Sequence, residues 1–363
     1  MIYRPYGRTG KQVSAIGAGT MRFKTPEGVE DLREAARVLL HAYEQGVNYF
    51  DTAPFYCGDR SEEITGLALR EMKPGTFYVS TKSAKSDGHE LRAQLENSLR
   101  RLGAECIHFF HIWCLLKPEE WTERKDGGAV EAALKARQEG LVEHVVFSSH
   151  MTGAETAAVI REGVFEGMTI GYNALNFPYR QEALRAAGEA GLGVACMNPL
   201  SGGLIPAHAA RFDFIRRPGD PTVTAAALRF LLSDPAISTA LVGFASQAEV
   251  DAAIAAVRDF QPYAPADMEQ IKTRIGASFD QLCTGCQYCL PCPAGVPIPK
   301  YMDSYNMHRL SGGDAAILER LKWHWDLHAA DAGQCTACGL CESRCTQHLP
   351  IIERLDHIRQ LKP

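Results

Sequence analysis

Long apolar runs are missing from this sequence. Nowhere do about 18 apolar residues stand together, which excludes a membrane-crossing helix and removes the membrane as an expected partner. The N-terminal stretch MIYRPYGRTGKQVSA lacks the apolar core of a secretory signal, so the expected location is cytoplasmic. Positive charge is short as well. Lys and Arg number 38 against 43 Asp and Glu, the net charge is -5, and no basic stripe is available to neutralise phosphates. Nucleic acid is therefore excluded as a main partner. The full glycine-rich dinucleotide turn is also absent, since Ile16-Gly17-Ala18-Gly19-Thr20 has only its first two glycines. What the chain has in excess is cysteine: twelve, in a compartment where disulfides are rare.

With 363 residues, 46% of them hydrophobic and 22% charged, the chain fits about two globular domains. Composition changes near residue 265, from Ala, Gly, Leu and Val to Cys, Pro, His and Trp. The reading is three segments: 1–264, a connecting helix over 265–281 with Asp267 as its N-cap, and 282–363. In the first, short apolar strands alternate with amphipathic helices. The strands are Val13–Gly17, Val47–Asp51, Phe77–Thr81, Cys106–Ile112, Val145–Ser149, Met168–Tyr172, Val194–Met197 and Ala240–Gly243. Continuous apolar strands separated by helices mean a parallel sheet covered on its faces. Eight such units predict an α/β fold of the closed (β/α)8 TIM barrel type, whose chemistry lies at the C-terminal ends of its strands. Long connections at 114–127 and 199–221 fall at that end and read as substrate loops.

Eight cysteines lie beyond residue 282. Cys283, Cys286, Cys289 and Cys292 are spaced two residues apart and followed by Pro293. Cys335, Cys338 and Cys341 repeat that spacing, and Cys345 follows after three residues. Three cysteines at two-residue gaps wrap three corners of a [4Fe-4S] cluster, and in two-cluster ferredoxins the fourth of each run serves the other cluster. The expected ligand sets are Cys283, Cys286, Cys289 and Cys345 for one cluster, and Cys335, Cys338, Cys341 and Cys292 for the other. A pair of structural zinc sites is the competing reading, although zinc sites separate their cysteine pairs by longer loops. Thr346 stands where the ferredoxin pattern has Pro. Helices expected over Gly313–Trp325 and Ile351–Leu361 make this a small helical ferredoxin-like domain.

Phe50-Asp51-Thr52-Ala53-Pro54-Phe55-Tyr56, then Ser61-Glu62-Glu63, then Ser80-Thr81-Lys82 resemble the aldo-keto reductases, as do Leu102-Gly103, Ser149 and Pro199-Leu200-Ser201-Gly202-Gly203. The whole chain resembles a branch of that family with a C-terminal iron–sulfur domain. The resemblance implies hydride transfer between a nicotinamide and a small carbonyl or alcohol, with Tyr56 as acid–base residue, Lys82 lowering its pKa and Asp51 holding Lys82. The family's histidine position falls on Trp113. Either a local shift restores His111, two residues earlier and about 6.6 Å deeper, or Trp113 occupies the place. His108 faces the other way and reads as structural.

For the cofactor, NADPH or NADH, the resemblance implies Gly19, Thr20, Ser149, His150, Met197, Leu200, Gly202, Gly243 and Ser246. Thr169 stands where an amide-binding Gln is common, and Ala253 near an adenine-binding Asn. No Lys or Arg occurs from Gly243 through Val257, so the usual grip on a 2′-phosphate is missing from that segment. Cys106 and Cys196 read as core residues, Cys57 and Cys114 as neighbours of the barrel mouth, and Trp323 and Trp325 as packing residues. One alternative delivers single electrons to the barrel through the clusters, because nicotinamide gives two electrons as hydride and a cluster takes one. That route needs a mediator such as a flavin, or an electron-transfer protein as partner. A second alternative is a non-catalytic electron-transfer subunit, which the retention of Asp51, Tyr56 and Lys82 opposes.

Overall fold

The structure, a computed structural model, describes residues 1–23, 28–275 and 281–362. It separates into two compact units, Met1–Leu200 with Ile215–Met268, and Ser201–Phe214 with Glu269–Pro363. No helix among the described residues is long and apolar enough to cross a membrane.

In the first unit eight parallel strands close into a barrel in chain order: β1 (Ile16–Gly19), β2 (Tyr49–Asp51), β3 (Tyr78–Ser83), β4 (Ile107–Leu115), β5 (Val142–Ser149), β6 (Gly167–Gly171), β7 (Gly193–Met197) and β8 (Thr239–Gly243). The covering helices are α1 (Val29–Glu44), α2 (Ser61–Leu69), α3 (Gly88–Leu102), α4 (Ala129–Gln138), α5 (Gly153–Arg161), α6 (Phe177–Ala190), α7 (Val223–Leu232) and α8 (Gln247–Val257). Local sequence accounts for their limits. The Asp87 carboxylate accepts from the His89 and Glu90 amides to start α3, and Gly103 ends it at φ 64. Between these caps Leu91, Leu95, Leu99 and Leu102 bury one stripe.

The first predicted strand divides. Gln12–Ser14 pairs antiparallel with Tyr3–Pro5, and only from Ile16 does the chain join the barrel. This hairpin brings Tyr6 into the barrel interior beside Val13, Tyr49, Phe109, Val146, Ala195 and Leu241. The Tyr6 ring requires glycine at the start of β7, since a Cβ on Gly193 would lie 2.0 Å from it.

The second unit is helical among the described residues. The connecting helix is α9 (Pro265–Ile275), followed by α10 (Ile298–Met307), α11 (Asp314–Arg320) and α12 (Ile351–Gln360). Asp267 is not the N-cap of α9; it lies inside the first turn, and its carboxylate accepts from the Ala264 amide. The part of the predicted helix at 276–279 lies outside the described residues. The helix expected over Gly313–Trp325 is α-helical only to Arg320, and Leu321–Trp325 forms one wider π-turn. Val296, Ile298, Met302, Ile317, Leu321, Leu355 and Ile358 form the core, with Cys341 and Cys345 in its wall.

Candidate functional site

At the C-terminal end of β2, Asp51 is 5% exposed and anchored by the Ser80 hydroxyl, which donates at 2.6 Å. From the end of β3, Lys82 donates to both Asp51 carboxylate oxygens at 2.8 and 2.7 Å and to the Thr52 carbonyl at 2.7 Å. Burial pulls the Lys82 ammonium below its ordinary pKa, and Asp51 opposes that pull. Tyr56 follows on a tight turn and places its ring centroid 5.2 Å from Lys82 Nζ. The turn is strained. Phe55, Cys57 and Asp59 all adopt left-handed φ values, 69, 53 and 66°. It is held by the Asp59 carboxylate, which accepts from the Phe55 amide at 3.1 Å and pairs with Arg101 at 2.9 Å. Ser61 and Glu62 serve the scaffold. Ser61 Oγ lies 2.5 Å from Thr20 Oγ1 and 2.7 Å from Thr52 Oγ1, and buried Glu62 accepts from the Thr81 hydroxyl.

His111 and Trp113 take different places. His111 is fully buried inside the barrel, with Nε2 2.7 Å from Thr169 Oγ1 and Nδ1 3.3 Å from the Thr81 carbonyl. Burial, with the Lys82 charge beside it, pushes its pKa down to about 3, so the imidazole is neutral. Trp113 is the side chain against Tyr56, edge to face at 5.7 Å between centroids. The strand irregularity that aims it falls between Ile112 and Leu115, beyond His111, where Cys114 adopts φ 63°. His108 accepts from the Val79 amide, a structural role.

The residues named for the cofactor lie at the strand ends, and several side chains are committed locally. Thr20, at the end of β1, donates to the Asp51 carbonyl. Ser149, beyond reach of solvent at the end of β5, lies 2.7 Å from Thr156 Oγ1. His150 is buried just after it. Met197 and Leu200 are half-buried at and after the end of β7, whereas Gly202 belongs to the second unit. Ser246 caps α8 by accepting from the Glu249 amide, and the Glu249 carboxylate accepts from the Ala245 amide. Ala253 is buried in α8.

Two residues escaped the sequence reading. Arg22, on the loop after β1, lies against Gly243, where a Cβ would meet its Cγ at 2.9 Å. Its aliphatic stem packs on Gly243 from outside the Gly243–Val257 segment, which carries no Lys or Arg. Arg180 is buried at the ends of β5 and β6, donating to the carbonyls of Gly171 at 2.5 Å and His150 at 3.1 Å. Neither shows periodicity or a motif that would mark it in the sequence.

In the second unit the eight cysteines line two cavities. One is bounded by Cys283, Cys286, Cys289 and Cys345, the other by Cys335, Cys338, Cys341, Cys292 and again Cys289. The last cysteine of each run thus stands with the opposite run. Thr346 shows the same crossing, its Oγ1 3.5 Å from Cys286 Sγ. The two runs fold alike: the Gly285 and Ala337 amides donate to Cys283 and Cys335 sulfur, each at 3.4 Å. Burial, with the neighbouring cysteines adding to it, pushes the Cys283 and Cys289 thiols up to about 12. Such crowded thiols become thiolates when coordinated to metal. A donor set of soft sulfur, amides aimed at sulfur and apolar walls of Pro299, Met302, Ile298 and Leu355 fits iron–sulfur clusters.

The remaining cysteines and tryptophans divide. Cys196 is fully buried as expected, but Cys106 precedes β4 and is only half-buried. Cys57 donates to the Thr20 carbonyl, and burial pushes it up to about 11, which makes it an inert thiol at neutral pH. Trp325 packs, its indole donating to Asp303 at 2.9 Å, whereas Trp323 is 76% exposed and does not.

Comparison with known proteins matches residues 15–275 to the profile described as the aldo/keto reductase family, and residues 282–349 to one described as a 4Fe-4S dicluster domain. An uncharacterized oxidoreductase of Bacillus subtilis is 28% identical over 233 residues, 56% of this chain and 68% of the relative. L-galactose dehydrogenase of Arabidopsis thaliana is 25% identical over 285 residues, 71% of this chain and 88% of that enzyme. Among solved structures, an aldo-keto reductase of Klebsiella pneumoniae in complex with NADPH superposes with a TM-score of 0.63 at 19% identity, covering 76% of this chain and 96% of that one.

Proposed function

Because the chain belongs to the aldo/keto reductase family and carries a C-terminal 4Fe-4S dicluster domain, we propose that its barrel interconverts a small carbonyl compound and its alcohol, with Tyr56 as the acid–base residue. The observation that carries this reading is the Asp51–Lys82 ion pair beneath the Tyr56 ring. A phenol titrating near 10 is a poor proton donor at neutral pH, and an adjacent ammonium stabilises the phenolate it leaves behind. In the reducing direction the Tyr56 hydroxyl donates its proton to the carbonyl oxygen, and solvent reprotonates the phenolate. A reduced nicotinamide at the ends of the strands would supply the hydride that the carbonyl carbon accepts. On this reading Gly19, Thr20, Ser149, His150, Met197 and Leu200 would hold it from the barrel, with Gly243, Ser246 and Arg22 at the loop after β8. Trp113 forms an aromatic wall and cannot take the charge of an imidazolium, so polarising the carbonyl falls to Tyr56 and Lys82.

The second unit is assigned two [4Fe-4S] clusters in crossed ligation, one on Cys283, Cys286, Cys289 and Cys345, the other on Cys335, Cys338, Cys341 and Cys292. Each would exchange one electron at a time, which calls for an electron-transfer protein as partner. The domain limits that go with this reading are 1–264, 265–281 and 282–363.

Tyr56→Phe should lower turnover about 100- to 10,000-fold with iron content unchanged; full activity would overturn the assignment. Trp113 beside Tyr56 favours a second reading, in which the barrel substrate receives single electrons from the clusters. Anaerobic addition of NADH or NADPH separates the two. Binding with the cluster absorbance unchanged supports hydride transfer, bleaching supports single-electron delivery, and failure of both dinucleotides to bind removes the first reading.

A further inference from the structure

Arg354 on α12 is 2% exposed, and its Nη1 and Nη2 find no hydrogen-bond partner among the described residues. Its guanidinium lies 4.8 Å from the centre of the Tyr305 ring. That contact supplies only part of what a buried cation needs, because taking such a charge out of water costs several kcal/mol unless an anion compensates. Tyr305, Cys283 and Cys345 lie in electrostatic reach of Arg354, as does the Arg309 cation, and none of the three is an anion until the cysteines coordinate metal. Cys345 feels Arg354 in return. Ile351, one turn earlier on α12, lines the cavity bounded by these cysteines. The other cavity has the opposite neighbour. Glu342 follows Cys341 in the chain, and its carboxylate accepts at 2.8 Å from the amide of Ile352, which lines that cavity. Among the described residues neither cavity has a cation in its lining, so Arg354 acts on the Cys283 cavity from one turn along α12 past Ile351.

Resting on the two-cluster reading above, we infer that Arg354 is the buried counter-charge of the cluster held by Cys283, Cys286, Cys289 and Cys345, and that Glu342 sets the other cluster lower in potential. Four thiolates leave a [4Fe-4S] site net negative, and a one-electron reduction makes it more so. A fixed cation stabilises the reduced form and raises the potential; a fixed carboxylate lowers it. On this reading the cluster beside Arg354 would be the easier of the two to reduce. Arg354 touches no substrate; it is a positioning residue for charge.

The test is a potentiometric titration of the full chain, followed by electron paramagnetic resonance, on the wild type, R354Q, R354K and E342Q. A wild type with about eight irons and two signals establishes the two-cluster reading first; fewer irons or a single signal would fail that reading, not this one. C286S identifies which signal belongs to the Cys283 cluster. R354Q should lower the potential of that signal by at least a tenfold change in the reduced-to-oxidised ratio, about 59 mV for one electron. R354K should retain most of the wild-type value, and E342Q should raise the other signal. Potentials unmoved in R354Q or E342Q, or R354Q moving the wrong signal, would overturn the inference. Should R354Q fail to hold iron, R354K decides: retention of iron and potential supports a counter-charge, and equal loss in both variants makes Arg354 merely structural.

Discussion

His111 shows how a residue type can be right for chemistry and placed for something else. Its imidazole is sealed inside the barrel between Thr169 and the Thr81 carbonyl and titrates near 3 instead of 6.5. Between those values the unfolded chain binds a proton that the folded chain refuses, so stability is complete above pH 6.5 and falls as pH drops below it. The loss is at most about 1.4 kcal/mol per pH unit from this group. Urea midpoints of the wild type and His111→Gln between pH 7 and 5 should diverge, the wild type losing more; parallel slopes would mean the histidine is not the cause. The residue-level legibility of the site follows the same lines. Asp51, Tyr56 and Lys82 stood in recognisable motifs, and the structure brings them into one group. The choice between His111 and Trp113 stayed open in the sequence, because it depends on a strand irregularity after Ile112 that no local propensity announces.

Among the elements, the start of α8 has the most to say about cofactor choice. Ser246 caps α8, and the Glu249 carboxylate already occupies the amide of Ala245, the residue before that cap. Arg22 stands on the opposite side of the balance, over Gly243. If this loop holds the adenosine end of a dinucleotide, the carboxylate repels a 2′-phosphate and Arg22 attracts it. Glu249→Gln should tighten NADPH several-fold relative to NADH, and Arg22→Ala should weaken NADPH more than NADH, as read by binding titrations. An unchanged ratio in both variants would place the phosphate elsewhere. Most helices were readable to within a few residues because their apolar stripes and caps are local. The stretch after Arg320 was not, since a π-turn differs from an α-helix by one hydrogen-bond step and leaves the apolar pattern almost unchanged.

At the level of the whole molecule the two units rest on different supports. The barrel closes on itself around an apolar interior, whereas the second unit carries cysteines in the wall of a small core. Metal binding in such a unit is also folding free energy. Anaerobic extraction of iron should therefore strip hydrogen-exchange protection from α10 to α12 and leave β1 to β8 protected; uniform loss across the chain would contradict that division. The alternation of apolar strands with helices, the eight cysteines and their two-residue spacing were settled in the sequence, because they follow from neighbours along the chain. The crossing of each run's fourth cysteine was also expected from the spacing; tertiary structure alone decided that Trp113 faces Tyr56, that the Arg22 stem reaches Gly243, and that Arg354 is buried in electrostatic reach of Cys283 and Cys345. These pairs join residues far apart in the chain, and burial and charge compensation between them arise only when long-range packing closes.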